Sequence, residues 1–258
     1  MEQRGDYMRI TVIANQKGGI GKSTTALQLS AGLVAKKYNV LTIDADPQGN
    51  LSHTMRADPN TGGIFEALNG EQVEKLIQKT EQGDILASSP QLTGADKKFA
   101  DYGSEYLLSK ALKAIKEKYQ YIIIDSPPQL GILTINTLIA ANDLIIPLTA
   151  DLYALMGLSQ LLDTVKRVQE YGNTNLRIAG LLLTRYSHRA ILSRDLKESI
   201  ETKAIEMGTK LYNTIIREGI SIREAQTNRQ NIFEYEPKSN AAVDYMDFVN
   251  EYLKGDKS

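Results

Sequence analysis

The sequence of 258 residues has no cysteine and no tryptophan, two histidines, and no apolar run near the ~20 residues that span a bilayer. The lack of cysteine excludes disulfides, thiolate metal sites and cysteine nucleophiles. His53 and His188 are too few and too far apart in sequence to indicate a zinc site. The start, MEQRGDYMRI, has no apolar core, so we expect no signal peptide and a cytoplasmic protein.

The chain also has almost no net charge. Its formal charge is −1, and its 42% hydrophobic and 24% charged contents are ordinary for a globular protein. The arginines are unevenly distributed, because seven of them follow residue 176. Such a local excess indicates a basic surface of the kind that binds nucleic acid. Acidic residues in the same segment leave a second interpretation open, that of solvated helix faces without a ligand.

Short apolar runs alternate with helical patterns along the whole chain. We predict strands at 8–15, 39–46, 84–89, 121–128, 143–149, 177–184 and 210–216, and helices at 22–38, 64–70, 104–119 and 240–255. Strands that alternate with crossover helices form a parallel sheet covered on both faces. The sequence therefore predicts one α/β domain over residues 1–258, with a mostly parallel, twisted sheet. Ligands bind at the carboxyl ends of such strands, where residues 14–16, Asp46 and Asp125 should meet.

The segment ANQKGGIGKSTT, residues 14–25, lies between a predicted strand and a predicted helix. Its glycines permit a tight turn and leave backbone N–H groups free to face phosphate oxygens, and the helix start adds its positive dipole end. This context predicts a P-loop NTPase in which Lys22 reaches the β- and γ-phosphates and Ser23 ligates Mg²⁺. The predicted nucleotide-binding residues are Gly18, Gly19, Ile20, Gly21, Lys22, Ser23 and Thr24.

Acidic residues end two of the predicted strands. Asp125 closes the run YIIID and occupies the Walker B position, which holds Mg²⁺. Ser126 follows it, so the group that activates the attacking water must lie elsewhere. Asp44 and Asp46 in DADPQGN are the candidates, and we expect only one of them to face the nucleotide. Asp46 is favoured because it lies closer to the loop and precedes Pro47, although Asp44 stays an alternative.

The loop also departs from the standard pattern GxxxxGK[ST]. Position 16, where that pattern has glycine, is Gln16, and an additional lysine, Lys17, follows. Lys17 precedes the glycine turn and cannot duplicate the contact of Lys22. Two interpretations remain: an exposed lysine without a ligand, or a lysine that contacts a nucleotide on another subunit. An added cation at a transferring phosphoryl group accelerates transfer by about 10³–10⁵ in the case of arginine fingers.

Several motifs together resemble one family. KGGIGKST resembles the deviant Walker A motif KGGxGK[ST], and DADPQGN resembles the DxDPQGN switch of the same proteins. YIIIDSPPQLGILTINTL, DLIIPLTADLYALMGLSQLL and LYNTII are similar to segments at corresponding places. The chain is therefore similar, from about residue 8 to residue 253, to the ParA/Soj group of partition ATPases in the MinD/ParA class.

The resemblance implies specific roles. Lys17 contacts the ATP of the partner in a sandwich homodimer, and it acts with Lys22 and with Asp46, the catalytic-water aspartate. ATP and Mg²⁺ are the implied cofactors, with Ser23 and Asp125 on the metal. The ATP-bound dimer of this family binds double-stranded DNA without sequence specificity and associates with the nucleoid. A ParB-like centromere-binding partner stimulates its slow hydrolysis, which segregates plasmid or chromosomal DNA.

The chain departs from the family where the arginines cluster. Relatives usually have TIIPRNVRLSEAPS and LTMYD, whereas this chain has TIIREGISIREAQT and LTRYS. Arg217 replaces a proline that is often near the adenine, so the adenine contacts cannot be transferred directly. DNA contacts cannot be transferred position by position either. The candidates are Arg185, Arg189, Arg217 and Arg223, each with a solvated or salt-bridged alternative.

Two alternative functions share these motifs. A positioning ATPase for a non-DNA cargo would show all of them. A MinD-like membrane ATPase needs a basic amphipathic C-terminal helix, whereas Asp244, Asp247 and Glu251 make this one acidic, so we expect no membrane partner. Because the phosphate loop begins near residue 17, we also expect no N-terminal helix-turn-helix domain and no sequence-specific operator binding.

Overall fold

The computed structural model of the chain describes residues 8–151, 154–187 and 192–255. Within them, seven strands form one sheet with the order β3-β4-β2-β5-β1-β6-β7. Neighbouring strands are parallel except for the edge pair β3 and β4, which is antiparallel. The strands are β1 (Arg9–Ile13), β2 (Val40–Asp44), β3 (Gln78–Thr80), β4 (Gly83–Leu86), β5 (Tyr121–Asp125), β6 (Asp143–Thr149) and β7 (Arg177–Thr184). The predicted mostly parallel α/β sheet is confirmed.

The described helices follow the strands as crossovers and short surface turns. They are α1 (Lys22–Ala35), α2 (Asn50–Thr54), α3 (Ile64–Leu68), α4 (Val73–Leu76), α5 (Ala95–Lys98), α6 (Leu107–Leu112), α7 (Ile132–Ala140), α8 (Ala154–Tyr171), α9 (Leu192–Glu206), α10 (Ile220–Thr227), α11 (Ile232–Tyr235) and α12 (Asn240–Gly255). None of these described helices is long and apolar enough to cross a membrane.

Strands β1, β2 and β5 are buried along their whole length, because helices cover both faces of the sheet. Alternate residues of each strand enter different cores. Val12 and Ile124 pack with α7 and α8 on one face. Ile13 and Ile123 pack with α1 and α12 on the other. Burying each such side chain contributes about 1.5–3 kcal/mol, so the two cores fix the register of the central strands.

The prediction of a strand at 210–216 is wrong. The segment runs beside β7, and Leu181 exchanges backbone hydrogen bonds with Lys210 and Tyr212, but the pairing within 210–216 amounts to one isolated bridge, between Leu181 and Leu211. The N–H groups of Asn213 and Thr214 donate to the carboxylate of Glu251 on α12, at 2.8 and 2.9 Å, instead of to a neighbouring strand. A side chain on the helix layer therefore interrupts the ladder.

Two further differences concern the edge of the sheet and one of its helices. The predicted helix at 104–119 is α6 flanked by 3₁₀ turns, Ser104–Tyr106 and Lys113–Ile115. The Asn136 side chain on α7 stabilises the first of these turns, because it accepts a hydrogen bond from Leu108 N and donates one to Ser104 O. The edge strand β3 was not predicted, because its three residues, QKT, are too short and too polar to form a pattern.

Candidate functional site

The loop between β1 and α1 holds its predicted turn through two glycines. Gly19 and Gly21 have φ values of 72° and 91°, in the left-handed region that other residues seldom adopt. The end of β7 fixes the carbonyl groups of the loop, since Thr184 Oγ1 donates to Ile20 O at 2.7 Å. Arg185 Nη1 donates to Gly19 O at 2.8 Å. The loop is therefore pre-organised, and α1 begins directly after it at Lys22.

Lys22 is the buried cation of the site. The residue is 7% exposed, and its Nζ donates to Lys17 O at 3.2 Å. Burial lowers the pKa of Lys22, while the nearby carboxylates of Asp125 and Asp46 oppose this shift. A buried ammonium whose hydrogen bond within the protein is long can exchange it for a phosphate oxygen.

Asp125 is fully buried, and among the described residues none is placed at hydrogen-bond distance and angle to either of its carboxylate oxygens, although the Ser23 hydroxyl lies near them. Burial and the charge of Asp44 raise the pKa of Asp125 well above its usual value, while the Ser23 hydroxyl and the Lys22 ammonium oppose this. A buried carboxylate without a partner is costly unless a cation or a bound water satisfies it. The position therefore suits Mg²⁺, which keeps several waters and takes few protein ligands. No cluster of three or more acidic or histidine ligands occurs among the described residues.

Strand pairing brings the acidic residues together. Asp125 lies opposite Ile13 of β1 and opposite Asp44 of β2. Asp44 accepts two hydrogen bonds from Ser52, from its N–H and its hydroxyl, both at 2.7 Å. Burial raises the pKa of Asp44 to about 6, against the effect of the Ser52 hydrogen bonds. Asp44 is thus committed to anchoring α2.

Asp46 has a different environment. It is 8% exposed and lines the cavity above the phosphate loop, whereas Asp44 is not one of the lining residues. Its Oδ1 accepts from Gln48 N at 3.0 Å, and its carbonyl accepts from the Ser88 hydroxyl at 2.5 Å. One carboxylate is therefore structural and the other faces the cavity. The catalytic role of Asp46 stays a prediction.

A cavity of about 780 Å³ extends from the phosphate loop to α10. Its inner end is formed by the phosphate loop, Asp46 and Pro128. Its outer end is formed by the end of β7, by the segment 216–219, and by the facing sides of α2 and α10. The outer residues are Asn50, Leu51, His53, Thr54, Thr184, Arg185, Ile216, Arg217, Glu218, Gly219, Ile222, Arg223, Gln226, Thr227 and Tyr245.

Lys17 lies outside this cavity. Its Nζ forms an ion pair with Asp151 and donates to Thr149 Oγ1 at 3.3 Å, both at the carboxyl end of β6. Lys17 is not among the lining residues. Of the predicted nucleotide-binding residues, Gly18, Gly19, Gly21, Lys22, Ser23 and Thr24 line the cavity. Ile20 is buried beneath the loop instead, at 2% exposure.

Two of the predicted DNA-binding arginines form ion pairs in the structure. Arg185 pairs with Glu218 at 2.8 Å. Arg217 pairs with Asp244 at 2.6 Å, and its backbone N–H also donates to that carboxylate. For these two residues the structure agrees with the salt-bridged alternative. Arg223 is exposed on α10, and Arg189 lies outside the described residues.

Comparison with known proteins places this site in a family. Residues 8–178 match a family described as an AAA domain. Over 249 residues the chain is 39% identical to the sporulation initiation inhibitor protein Soj of Bacillus subtilis, covering 94% of this chain and 97% of the relative. The chain belongs to the ParA/Soj family of partition ATPases. It is also 36% identical over 254 residues to the chromosome partitioning protein ParA of Myxococcus xanthus, covering 96% of this chain and 89% of the relative.

A solved structure supports the same fold. Cobyrinic acid a,c-diamide synthase from Mycobacterium smegmatis, with a bound ATP analog and magnesium, matches with a TM-score of 0.83 and 31% identity. The match covers 97% of this chain and 96% of that chain. Because that enzyme has a different named activity, the shared fold does not fix the reaction. The partition assignment comes from the ParA and Soj relatives.

Sequence reasoning missed the polar residues that hold this ParA/Soj site together. Ser52 bridges Asp44 and Ser88, since its hydroxyl also accepts from Ser88 N at 2.8 Å. Gln226 on α10 donates to Thr24 Oγ1 at 2.8 Å. Ser88 had a detectable signal, because it lies next to the end of a predicted strand. Gln226 had none, because Thr24 is 202 residues away in the sequence.

Proposed function

We propose that this ParA/Soj protein is an ATP- and Mg²⁺-dependent partition ATPase that dimerises around ATP and then binds DNA without sequence specificity. Hydrolysis, stimulated by a ParB-like partner, releases it from the nucleoid. The observation that supports this most is the buried Asp125 carboxylate, which no described residue satisfies with a well-placed hydrogen bond, close to Lys22 and Ser23 of the phosphate loop. Such a group is stabilised when a hydrated divalent cation binds with a nucleotide.

Each residue at the inner end of the cavity has a defined task in this proposal. Lys22 exchanges its hydrogen bond to Lys17 O for the β- and γ-phosphate oxygens. The Ser23 hydroxyl and the Asp125 carboxylate would hold Mg²⁺, which would supply positive charge beside the phosphates when bound. The backbone N–H groups of the glycine turn fix the orientation of the phosphates.

Asp46 orients the attacking water. Asp46 lines the cavity, and the chain around it is fixed by hydrogen bonds from Gln48 N to its carboxylate and from the Ser88 hydroxyl to its backbone carbonyl. Asp44 cannot share this task, because both its oxygens accept hydrogen bonds. A single positioned carboxylate accelerates such a proton transfer by about 10²–10⁴.

Lys17 acts in the second protomer. It lies outside the cavity of its own chain, where Asp151 and Thr149 hold its ammonium group. Lys17 can therefore contact a nucleotide only when a second protomer, with a nucleotide bound in its own cavity, docks against this edge. Lys17 then leaves Asp151 and contributes charge at the partner's transferring phosphoryl group, which ties hydrolysis to the dimer.

The last helix gives no support to a membrane role. Its apolar residues, including Tyr245, Phe248 and Val249, pack into the core beside α1 rather than forming a free amphipathic face. We therefore propose DNA rather than a lipid surface as the partner of the dimer.

Light scattering combined with a DNA-binding titration tests the proposal. With ATP and Mg²⁺ we expect dimers, and DNA binding that weakens steeply with salt. ADP should give monomers that bind DNA weakly. A protein that stays monomeric with ATP and Mg²⁺ contradicts the role of Lys17. A dimer that ignores DNA but sediments with anionic vesicles favours the membrane alternative, and a dimer that binds neither favours a non-DNA cargo.

A further inference from the structure

Helix α10 presents one face to the nucleotide cavity. Ile222, Arg223, Gln226 and Thr227 line it. These positions are separated by one, four and five residues, the spacing of a single helical face. The other side of the helix is turned away, since Glu224 accepts from the Tyr235 hydroxyl at 3.4 Å. The residues at 223 and 226 are neighbours on this face, with Cβ atoms about 5–6 Å apart.

Contacts at both sides of this face fix α10 over the start of α1. Gln226 donates to the hydroxyl of Thr24, in the first turn of α1, at 2.8 Å. The chain after α10 is held against α2, where Arg229 Nε donates to His53 O at 2.7 Å. Arg229 adopts a left-handed φ of 54° to do so. Arg223 is therefore held one helical turn from the contact between Gln226 and Thr24.

Arg223 differs from the other arginines of the cavity. Arg185 is neutralised by Glu218 and Arg217 by Asp244. Among the described residues, the guanidinium of Arg223 has no hydrogen bond or ion pair, whereas its backbone carbonyl accepts from the Thr227 hydroxyl at 2.9 Å. A guanidinium is the side chain best suited to bind phosphate oxygens, because its donors match them in pairs. The cavity thus has one arginine available to an anionic ligand.

We propose that Arg223 binds the nucleotide itself, at the phosphates nearest the ribose, rather than DNA. The assignment rests on the proposed function, since it needs a nucleotide on the phosphate loop. The loop backbone holds the α- and β-phosphates and Lys22 serves the β- and γ-phosphates. Thr24 lies one residue beyond Ser23 on α1, on the side of the loop that faces the α-phosphate. Arg223 is the neighbour of Gln226, which contacts Thr24, so its guanidinium lies toward the α-phosphate. ADP and ATP share this part, so Arg223 stabilises both equally.

This placement predicts a result that distinguishes the two roles of Arg223. An interaction made equally with ATP and with ADP changes the Kd of both nucleotides but does not change the rate of the hydrolysis step. Loss of Arg223 should raise the Kd of ADP and of ATP by about tenfold each. A DNA-contacting arginine would instead weaken DNA binding at saturating ATP and reduce its salt slope by about 1.

The experiment compares Arg223→Gln, Arg223→Lys and the control Lys238→Gln, each also combined with Asp46→Ala to prevent turnover. Lys238 is an exposed cation that lines a neighbouring groove and not the nucleotide cavity. Calorimetry with ADP and with ATP and Mg²⁺ gives the Kd values. DNA titrations at saturating ATP across a salt series give the second readout. Thermal unfolding without nucleotide checks that each variant is folded.

The expected result is weaker binding of both nucleotides by Arg223→Gln, an intermediate loss for Arg223→Lys, which keeps the charge but not the paired donors, and no change for Lys238→Gln. The DNA midpoint and salt slope at saturating ATP should match wild type. Unchanged nucleotide affinity in a folded Arg223→Gln protein overturns the assignment, whether or not DNA binding changes. If wild type binds neither nucleotide, the proposed function fails and the assignment of Arg223 fails with it.

Discussion

The two ends of the cavity are built on different principles. At the inner end, Lys22 and Asp46 line the cavity, and the fully buried Asp125 lies within range of both. At the outer end, Arg185 and Arg217 are partly exposed, and each is neutralised by its own acid. A buried charge without a full set of partners is costly, and binding an ion of opposite charge removes that cost. Paired surface charges carry no such cost, so the inner end sets the chemistry.

Replacing the buried cation should have the largest effect. We expect Lys22→Ala to abolish both ATP binding and hydrolysis, because the β- and γ-phosphates lose the buried ammonium group that contacts them. Equilibrium binding of a fluorescent ATP analogue measures this directly. Retained micromolar affinity would show that the inner end does not bind phosphate.

Removing the carboxylate that faces the cavity should separate binding from turnover. We expect Asp46→Ala to bind ATP and dimerise as wild type does, while its phosphate release falls by about 10²–10⁴. Asp44→Asn is the comparison variant. Because Asp44 anchors Ser52, this substitution should lower the stability of the fold instead of the rate of turnover. Normal turnover in Asp46→Ala would move the water-orienting role to another residue.

The inner end could be predicted from the sequence because its residues are close to strand ends and to one glycine loop. Once β1, β2 and β5 are recognised as parallel neighbours, Asp125 and Asp44 must meet at the same level. The alternation of core residues along β1 and β5 likewise follows from burial on both faces. These features depend on local patterns that single segments of the chain display.

The outer end could not be predicted because its contacts join distant segments. The pair of Arg217 and Asp244 spans 27 residues, and Gln226 meets Thr24 across 202. Neither partner changes the local hydrophobic period. The segment 210–216 was predicted as a strand because its apolar pattern is regular. Two of its backbone N–H groups bond to Glu251, a residue distant in sequence on α12, and this contact could not be predicted from the local pattern.

Breaking the pair at the outer end should cost stability rather than DNA affinity. We expect Arg217→Ala to lower the free energy of unfolding by about 1–3 kcal/mol, because Asp244 is 9% exposed and loses its charged partner. Lys203→Ala, which breaks an exposed pair with Glu206, should cost less than about 0.5 kcal/mol. Urea denaturation measures both. A stable Arg217→Ala protein with a reduced DNA salt slope would instead assign Arg217 to DNA.

The smallest expected effect concerns Glu251, which holds the segment that walls the outer end. Burial alone would raise the pKa of this carboxyl, but hydrogen bonds from Asn213 and Thr214 lower it overall. A carboxyl with a lowered folded-state pKa stabilises the protein above its unfolded pKa of about 4.3, and this contribution is lost as pH falls through the folded value.

Glu251→Gln should therefore cost about 1 kcal/mol at pH 7 and progressively less below pH ~4.3, because the wild-type carboxylate becomes protonated there. Urea denaturation of both proteins between pH 7 and the acid limit of folding measures the difference. A constant difference across that range would mean that Glu251 acts through its shape and not its charge. The wall of the outer end would then depend on packing alone, unlike the charged groups that build the inner end.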